Sequence, residues 1–162
     1  MGMIGNMIRV SQQELTRFLE NSQSFENKIY DENNFEQDWY FDIDKAWDGI
    51  QYILTGKGIA ESTKPNILSR AFFSHQILDE EQDLGFGPAQ YLTAEQVAET
   101  NLEIQKIEIQ DIDGADMNLK NIYPGFWDKD EATEFLKDSF KEFKAFYNKA
   151  TQNNEAILTF LN

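Results

Sequence analysis

The chain has 162 residues, of which 41% are hydrophobic and 14% aromatic, enough apolar material for one core and too much for a disordered segment. Fourteen Lys and Arg face 29 Asp and Glu, and the resulting formal charge of -15 argues against nucleic acid and anionic membranes as partners, since affinity for both rests on clustered cations. Cysteine is absent, which excludes disulfides, thiolate nucleophiles and Cys-ligated zinc or iron–sulfur centres.

The start MGMIGNMIRV lacks the basic region and apolar run of a signal peptide, and its myristoylation pattern, begun by Met1 and Gly2, fails at Asn6. No stretch approaches about 18 consecutive apolar residues. The expectation is a soluble, cytoplasmic protein. Met3 to Val10 reads as a strand, and Ser11 with Glu14 forms a capping box that opens a helix to about Asn21. Asn21 to Asn34 is polar and aperiodic, so a surface loop is predicted there. Asp42 or Asp44 is placed to cap a helix whose apolar stripe is Ala46, Trp47, Ile50, Ile53 and Leu54, and whose end is the Thr55-Gly56 break. Its opposite stripe is Asp44, Asp48, Gln51 and Thr55.

Pro65 suits the first turn of a short helix to about Phe73, Asp79 to Leu84 is acidic without a clear structural signal, and Gly85, Gly87 and Pro88 mark a turn. A short strand over Ala89 to Leu92 then leads to a second capping box, Thr93 with Gln96, and a helix from Ala94 to Lys106. Asp111 to Gly125 reads as loop. Asp128 with Glu131 opens a long helix with the stripe Ala132, Phe135, Leu136, Phe140, Phe143, Tyr147 and Ala150, followed by a buried strand from Ala156 to Leu161. These signals describe one domain over residues 1–162, helix-rich and α/β, with mixed α+β open.

Charge, aromatics and a helix signal coincide only between Trp39 and Gly56. Asp44 and Asp48 stand one helical turn apart, where like charges cost about 0.2–0.5 kcal/mol unless the helix amino terminus favours them. Capping and the helix dipole explain that pair. The functional alternative is a carboxylate pair working with Lys45, Arg70 or His75. His75, the sole histidine, is either a packed structural residue or a general acid or base. One histidine excludes a multi-His metal site, and the run Asp111, Asp113, Gly114, Asp116 departs from the EF-hand order, with Ile122 where a glutamate is required. Neither a phosphate loop nor a Gly-x-Ser-x-Gly elbow is present, so no cofactor and no metal are expected. Trp127, beside Pro124 and Gly125 in a loop, is the expected exposed aromatic anchor.

Together the segments MGMIG at Met1–Gly5, DIDKAWD at Asp42–Asp48, LTG at Leu54–Gly56, LSRA at Leu68–Ala71, His75, and IYPG at Ile122–Gly125 resemble the bacterial YfbM-like family, a domain family of unknown function. The resemblance implies a single compact domain with a small, mostly central sheet and helices on both faces. It carries no activity to transfer, but groups Asp42, Asp44, Lys45, Trp47, Asp48, Ser69, Arg70 and His75. Two functions follow as expectations. One is an acidic protein-binding module, regulatory or immunity-like, that meets a protein partner, a basic one suiting its charge, through Asp42, Lys45, Trp47, Arg70 and Trp127 without intrinsic catalysis. The alternative is a small-molecule enzyme using Asp44 and Asp48 with His75 or Lys45 as acid and base. The oligomeric state stays open.

Overall fold

A computed structural model describes residues 2–61 and 64–162, so Met1 of the first resembling segment lies outside the described residues. The first strand, β1 (Gly5–Val10), lies between β2 (Tyr40–Asp44) and β4 (Ala156–Leu161), and β3 (Gln90–Leu92) completes an antiparallel sheet of order β2-β1-β4-β3. The two ends of the chain are therefore neighbours in the sheet, and Ile4 and Asn162 exchange backbone hydrogen bonds.

Because strand side chains alternate between faces, β1 and β4 feed two apolar clusters. Met7 and Ile157 join the larger one, covered by α3 (Trp47–Thr55), α4 (Ala94–Ile104) and α6 (Asp130–Gln152). Ile8, Val10, Leu158 and Phe160 join the other, covered by α1 (Gln12–Glu20) and α2 (Ser22–Ile29). The fold is mixed α/β, with helices on both faces of a central sheet. Among the described residues no helix is long and apolar enough to cross a membrane.

Both predicted capping boxes form, with Ser11 and Thr93 accepting from the backbone N–H three residues on and Glu14 and Gln96 reaching back. Gly56, at φ 76°, ends α3 in the left-handed conformation that glycine adopts without a Cβ penalty. In α6 the buried residues are Ala132, Leu136, Phe140, Phe143, Phe146, Tyr147 and Ala150, so the stripe has the predicted spacing, with Phe146 added and Phe135 half-buried. Each of the large side chains contributes about 1.5–3 kcal/mol on burial.

Several elements differ from expectation. The predicted loop Asn21 to Asn34 contains α2, a helix with only two buried positions, Phe25 and Ile29, whose stability comes from packing rather than from a long periodic signal. The loop Asp111 to Gly125 contains α5 (Gly114–Leu119), where Asp113 is the cap and accepts from the Asp116 N–H. Pro65 starts no helix; that region holds a single 3-10 turn over Ser69–Ala71. Helix α4 ends at Ile104, short of Lys106. Asp128 does not cap α6: Lys129 occupies the cap position without a side-chain bond, and Asp128 accepts from Asn118 Nδ2 instead.

Candidate functional site

Asp42 and Asp44 belong to strand β2, so neither caps α3, whose cap position is Ala46 with no side-chain bond. The pairing with β1 shifts register at Gly5, opposite Asp44, and Asp44 adopts φ 49° there while its N–H donates to Asp42 Oδ1 at 2.7 Å. Aspartate tolerates this left-handed conformation better than most side chains, because its carboxylate bonds locally. Both carboxylates remain exposed. The expected pair of acids on one helix face is thus absent, since the chain turns between Asp44 and the helix that carries Asp48.

Asp48 is 2% exposed, and the polar stripe expected of α3 is in fact partly interior, with Gln51 wholly buried. Asp48 Oδ1 accepts from the Ile59 N–H at 2.7 Å and Oδ2 from the Tyr123 N–H at 2.8 Å. Burial raises its pKa, opposed by those two N–H donors. No cation pairs with it among the described residues. Both oxygens are consumed in tying two loops to the helix, a brace more than a reaction centre.

Around this brace the aromatics are interior. Trp47 donates from Nε1 to the Met3 carbonyl at 3.1 Å and stacks on Tyr123 at 5.0 Å, while the Tyr123 hydroxyl accepts from the Met3 N–H at 2.8 Å. Trp127, expected as an exposed anchor, is 0% exposed. Its Nε1 donates to the Ile122 and Tyr123 carbonyls, each at 3.1 Å, and its ring reaches the space above Gly49. Local polarity of the Pro124-Gly125 loop misled the sequence reading, because the indole satisfies its N–H on that same loop and buries its rings behind it. The Tyr123-Pro124 peptide is cis. The segments at Gly2–Gly5, Asp42–Asp48 and Ile122–Gly125 therefore meet at one junction that secures the start of the chain. Lys45 lies against Gly2 and, with Asp44, Phe126, Lys129, Glu131 and Phe135, lines an open concavity of about 360 Å³.

Arg70 and His75 occupy a different part of the surface. Asn66 Oδ1 accepts from the Leu68 and Ser69 N–H groups and the Ser69 hydroxyl accepts from the Asn66 N–H, a reciprocal cap that shapes the LSRA turn. Arg70 Nε donates to Thr100 Oγ1 at 2.8 Å, and Nη2 donates to the Gln96 carbonyl at 3.2 Å and pairs with Glu99 at 3.0 Å. Asn66, Arg70, Ser74, Gln76 and Gln96 line a concavity of about 330 Å³. His75 is exposed at φ 62°, its N–H donating to Gln90 Oε1 at 2.8 Å. Among the described residues no hydrogen bond or ion pair joins His75 to Asp44, Asp48 or Lys45, so the expected acid–base group is not assembled.

Two acids of the Asp111 to Asp116 run serve within the chain: Asp113 caps α5, and Asp116 accepts from Tyr52 at 2.6 Å and Lys120 at 2.8 Å. Those two bonds, Lys120 first, hold the Asp116 carboxyl below its usual range, and the same contact with Asp116, aided by burial, pushes the Tyr52 hydroxyl up to about 12.

A surface the sequence left undefined is tied together by hydrogen bonds. Asp79 accepts from the Ser22 hydroxyl at 2.6 Å and from the Glu81 N–H at 3.0 Å; Gln82, buried, accepts from the Ala89 N–H; and Asp83 accepts from the Gly85 N–H at 2.9 Å. Gly85 and Gly87, at φ 122° and 98°, then bend the chain so that Phe86 stands out with 53% of its surface exposed. Glu80, Glu81 and Asp83, a few residues earlier in the chain, are exposed, and among the described residues no ion pair engages any acid from Asp79 to Asp83. The readable signal was a single large apolar residue flanked by glycines directly after a run of acids.

The family described as domain of unknown function (DUF1877) matches residues 1–160. Among solved structures the chain is similar to YfbM from Escherichia coli, described as a protein of unknown function, with 19% identity, a TM-score of 0.68, and coverage of 98% of this chain and 99% of that one. At that identity the likeness speaks for the fold. No curated protein matches the chain.

Proposed function

Since the chain belongs to the DUF1877 family, whose description assigns no activity, we propose from its own surface that it is an acidic protein-binding module, regulatory or immunity-like, without intrinsic catalysis. The observation that carries this reading is the hydrogen-bonded Asp79–Gly87 turn, which leaves Phe86 exposed a few residues after Glu80, Glu81 and Asp83, acids that form no ion pair among the described residues. An exposed aromatic that is already ordered loses little entropy on docking and can fill a pocket in a partner. The surrounding acids steer a basic partner toward it, in an association screened over about 8 Å at physiological ionic strength. Further support is that Asp44, Asp48 and His75 are held by separate backbone and side-chain bonds.

The test is capture of partners from the native cell by the immobilised protein at low and high salt, alongside the Phe86→Ala and Glu80→Lys/Glu81→Lys variants. A basic protein retained at low salt, released at high salt and lost with both variants supports the reading. Truncating an aromatic hot spot costs about 2 kcal/mol or more, roughly thirtyfold in affinity. Capture unchanged by either variant would overturn it.

A further inference from the structure

We propose that the concavity beside the LSRA turn binds a small molecule carrying a single carboxylate next to an aliphatic group, independently of the Phe86 surface. The case rests on which polar groups of its lining residues are already used. Arg70 is fixed in plane by Nε on Thr100 and Nη2 on Gln96 and Glu99, and its Nη1 has no acceptor among the described residues. Asn66 spends its Oδ1 on two backbone N–H groups, and its Nδ2 has no acceptor among the described residues. Ser74 Oγ accepts from the Gln76 N–H and keeps its own hydroxyl proton to donate. Gln76 and Gln96 face each other amide to amide at 2.7 and 3.1 Å, the Gln96 Oε1 also taking the Thr93 N–H, so that a second Nε2 hydrogen of Gln96 is left over.

The acceptors of this cluster are thus largely satisfied, while among the described residues four donors, one of them cationic, remain open on residues that line a space of about 330 Å³. The complement of such a surface is a group rich in acceptors. A carboxylate fits better than a phosphate, because Glu99 already neutralises part of the one guanidinium and a doubly charged ligand would meet that repulsion. Pro65, Ile67 and Leu92 add the apolar part of the lining, and Ile67 is 40% exposed at its edge. In a chain of charge -15 such an anion site has to be local, and here the cation is paired on one edge only.

The experiment is an NMR titration of the full chain with N-acetylleucine, its uncharged amide and inorganic phosphate as probes. N-acetylleucine is expected to give saturable shifts at the backbone N–H groups of Ile67, Ser74 and Gln76, with the amide about tenfold weaker or worse, since bonds to a charged acceptor are the stronger kind. Ile67→Glu, at an exposed position, is expected to weaken binding about tenfold with the fold unchanged, and Glu99→Gln to strengthen it. Absence of saturable shifts at those residues, equal response to the amide, or phosphate binding as well as the acid would each overturn the proposal. Arg70→Lys serves as a further variant, and Ile67→Glu keeps the test decisive should Arg70→Lys disturb the Thr100 contact.

Discussion

Replacing Asp48 by alanine removes two charge-assisted hydrogen bonds, those from the Ile59 and Tyr123 N–H groups. At about 1.5–3 kcal/mol each, the gross loss is about 3–6 kcal/mol. Removing a buried carboxylate also returns its desolvation cost, so a net destabilisation of about 2–4 kcal/mol is expected, a fall in Tm of roughly 5–15 °C for a chain of this size. Asparagine keeps one acceptor but turns an NH2 toward the other N–H donor, so Asp48→Asn is expected to lose about 1–3 kcal/mol. The pH dependence follows from the direction of the shift. Because burial raises the folded-state pKa above that of the unfolded chain, Asp48 contributes most below the unfolded value, near 4, and loses part of that contribution as pH rises through the folded one. The penalty of Asp48→Ala should therefore be larger in acid than at neutral pH. Urea unfolding of the parent and both variants across that window is the assay. A penalty below about 0.5 kcal/mol for both variants, or one that shrinks on acidification, would refute the account of Asp48 as a buried brace dominated by desolvation.

Gly114→Ala places a Cβ 1.8 Å from the Trp127 carbonyl oxygen, a backbone atom that cannot swing aside, so a loss of about 3 kcal/mol or more is expected by chemical denaturation. Among the described residues neither the side-chain nitrogen nor the oxygen of buried Gln51 is hydrogen-bonded, and Gln51→Met should gain about 1 kcal/mol; a loss of that size would show that the amide has a partner. Burial, with the nearby Asp42 charge second, pushes the Tyr40 hydroxyl up to about 12, and Tyr52 reaches about 12 through Asp116. Folded-state values above the unfolded one near 10 mean that stability present below pH 10 falls as pH rises toward 12, which denaturant midpoints and phenolate absorbance followed together will check. Tyr52→Phe should in turn raise the Asp116 carboxyl toward its ordinary value, read by NMR titration, whereas an unmoved value would mean that Lys120 alone sets it.

What could be read along the chain was whatever closes within a few residues or repeats at a fixed period. The Ser11–Glu14 and Thr93–Gln96 boxes, the glycine end of α3, the stripe of α6 and the last strand all have that character, because a cap joins residues three apart and an amphipathic face recurs with the helical turn. Three of the resembling segments converge, at Met3, Trp47, Asp48 and Tyr123, a juxtaposition that the grouping of Asp42 to Asp48 with Ser69, Arg70 and His75 did not contain. Their role was not legible. Asp48 looked like a solvated acid on a polar stripe, and only a bond to Tyr123, 75 residues away, makes it an interior acceptor. Trp127 looked like a surface anchor until the loop it belongs to folded over it. Short helices such as α2 and α5 escaped notice because tertiary contact, not propensity, sustains them. Local hydrogen bonding and hydrophobic period thus determined the elements, whereas burial, and with it which acids and aromatics face solvent, was decided by contacts between distant segments, which no short window of sequence contains.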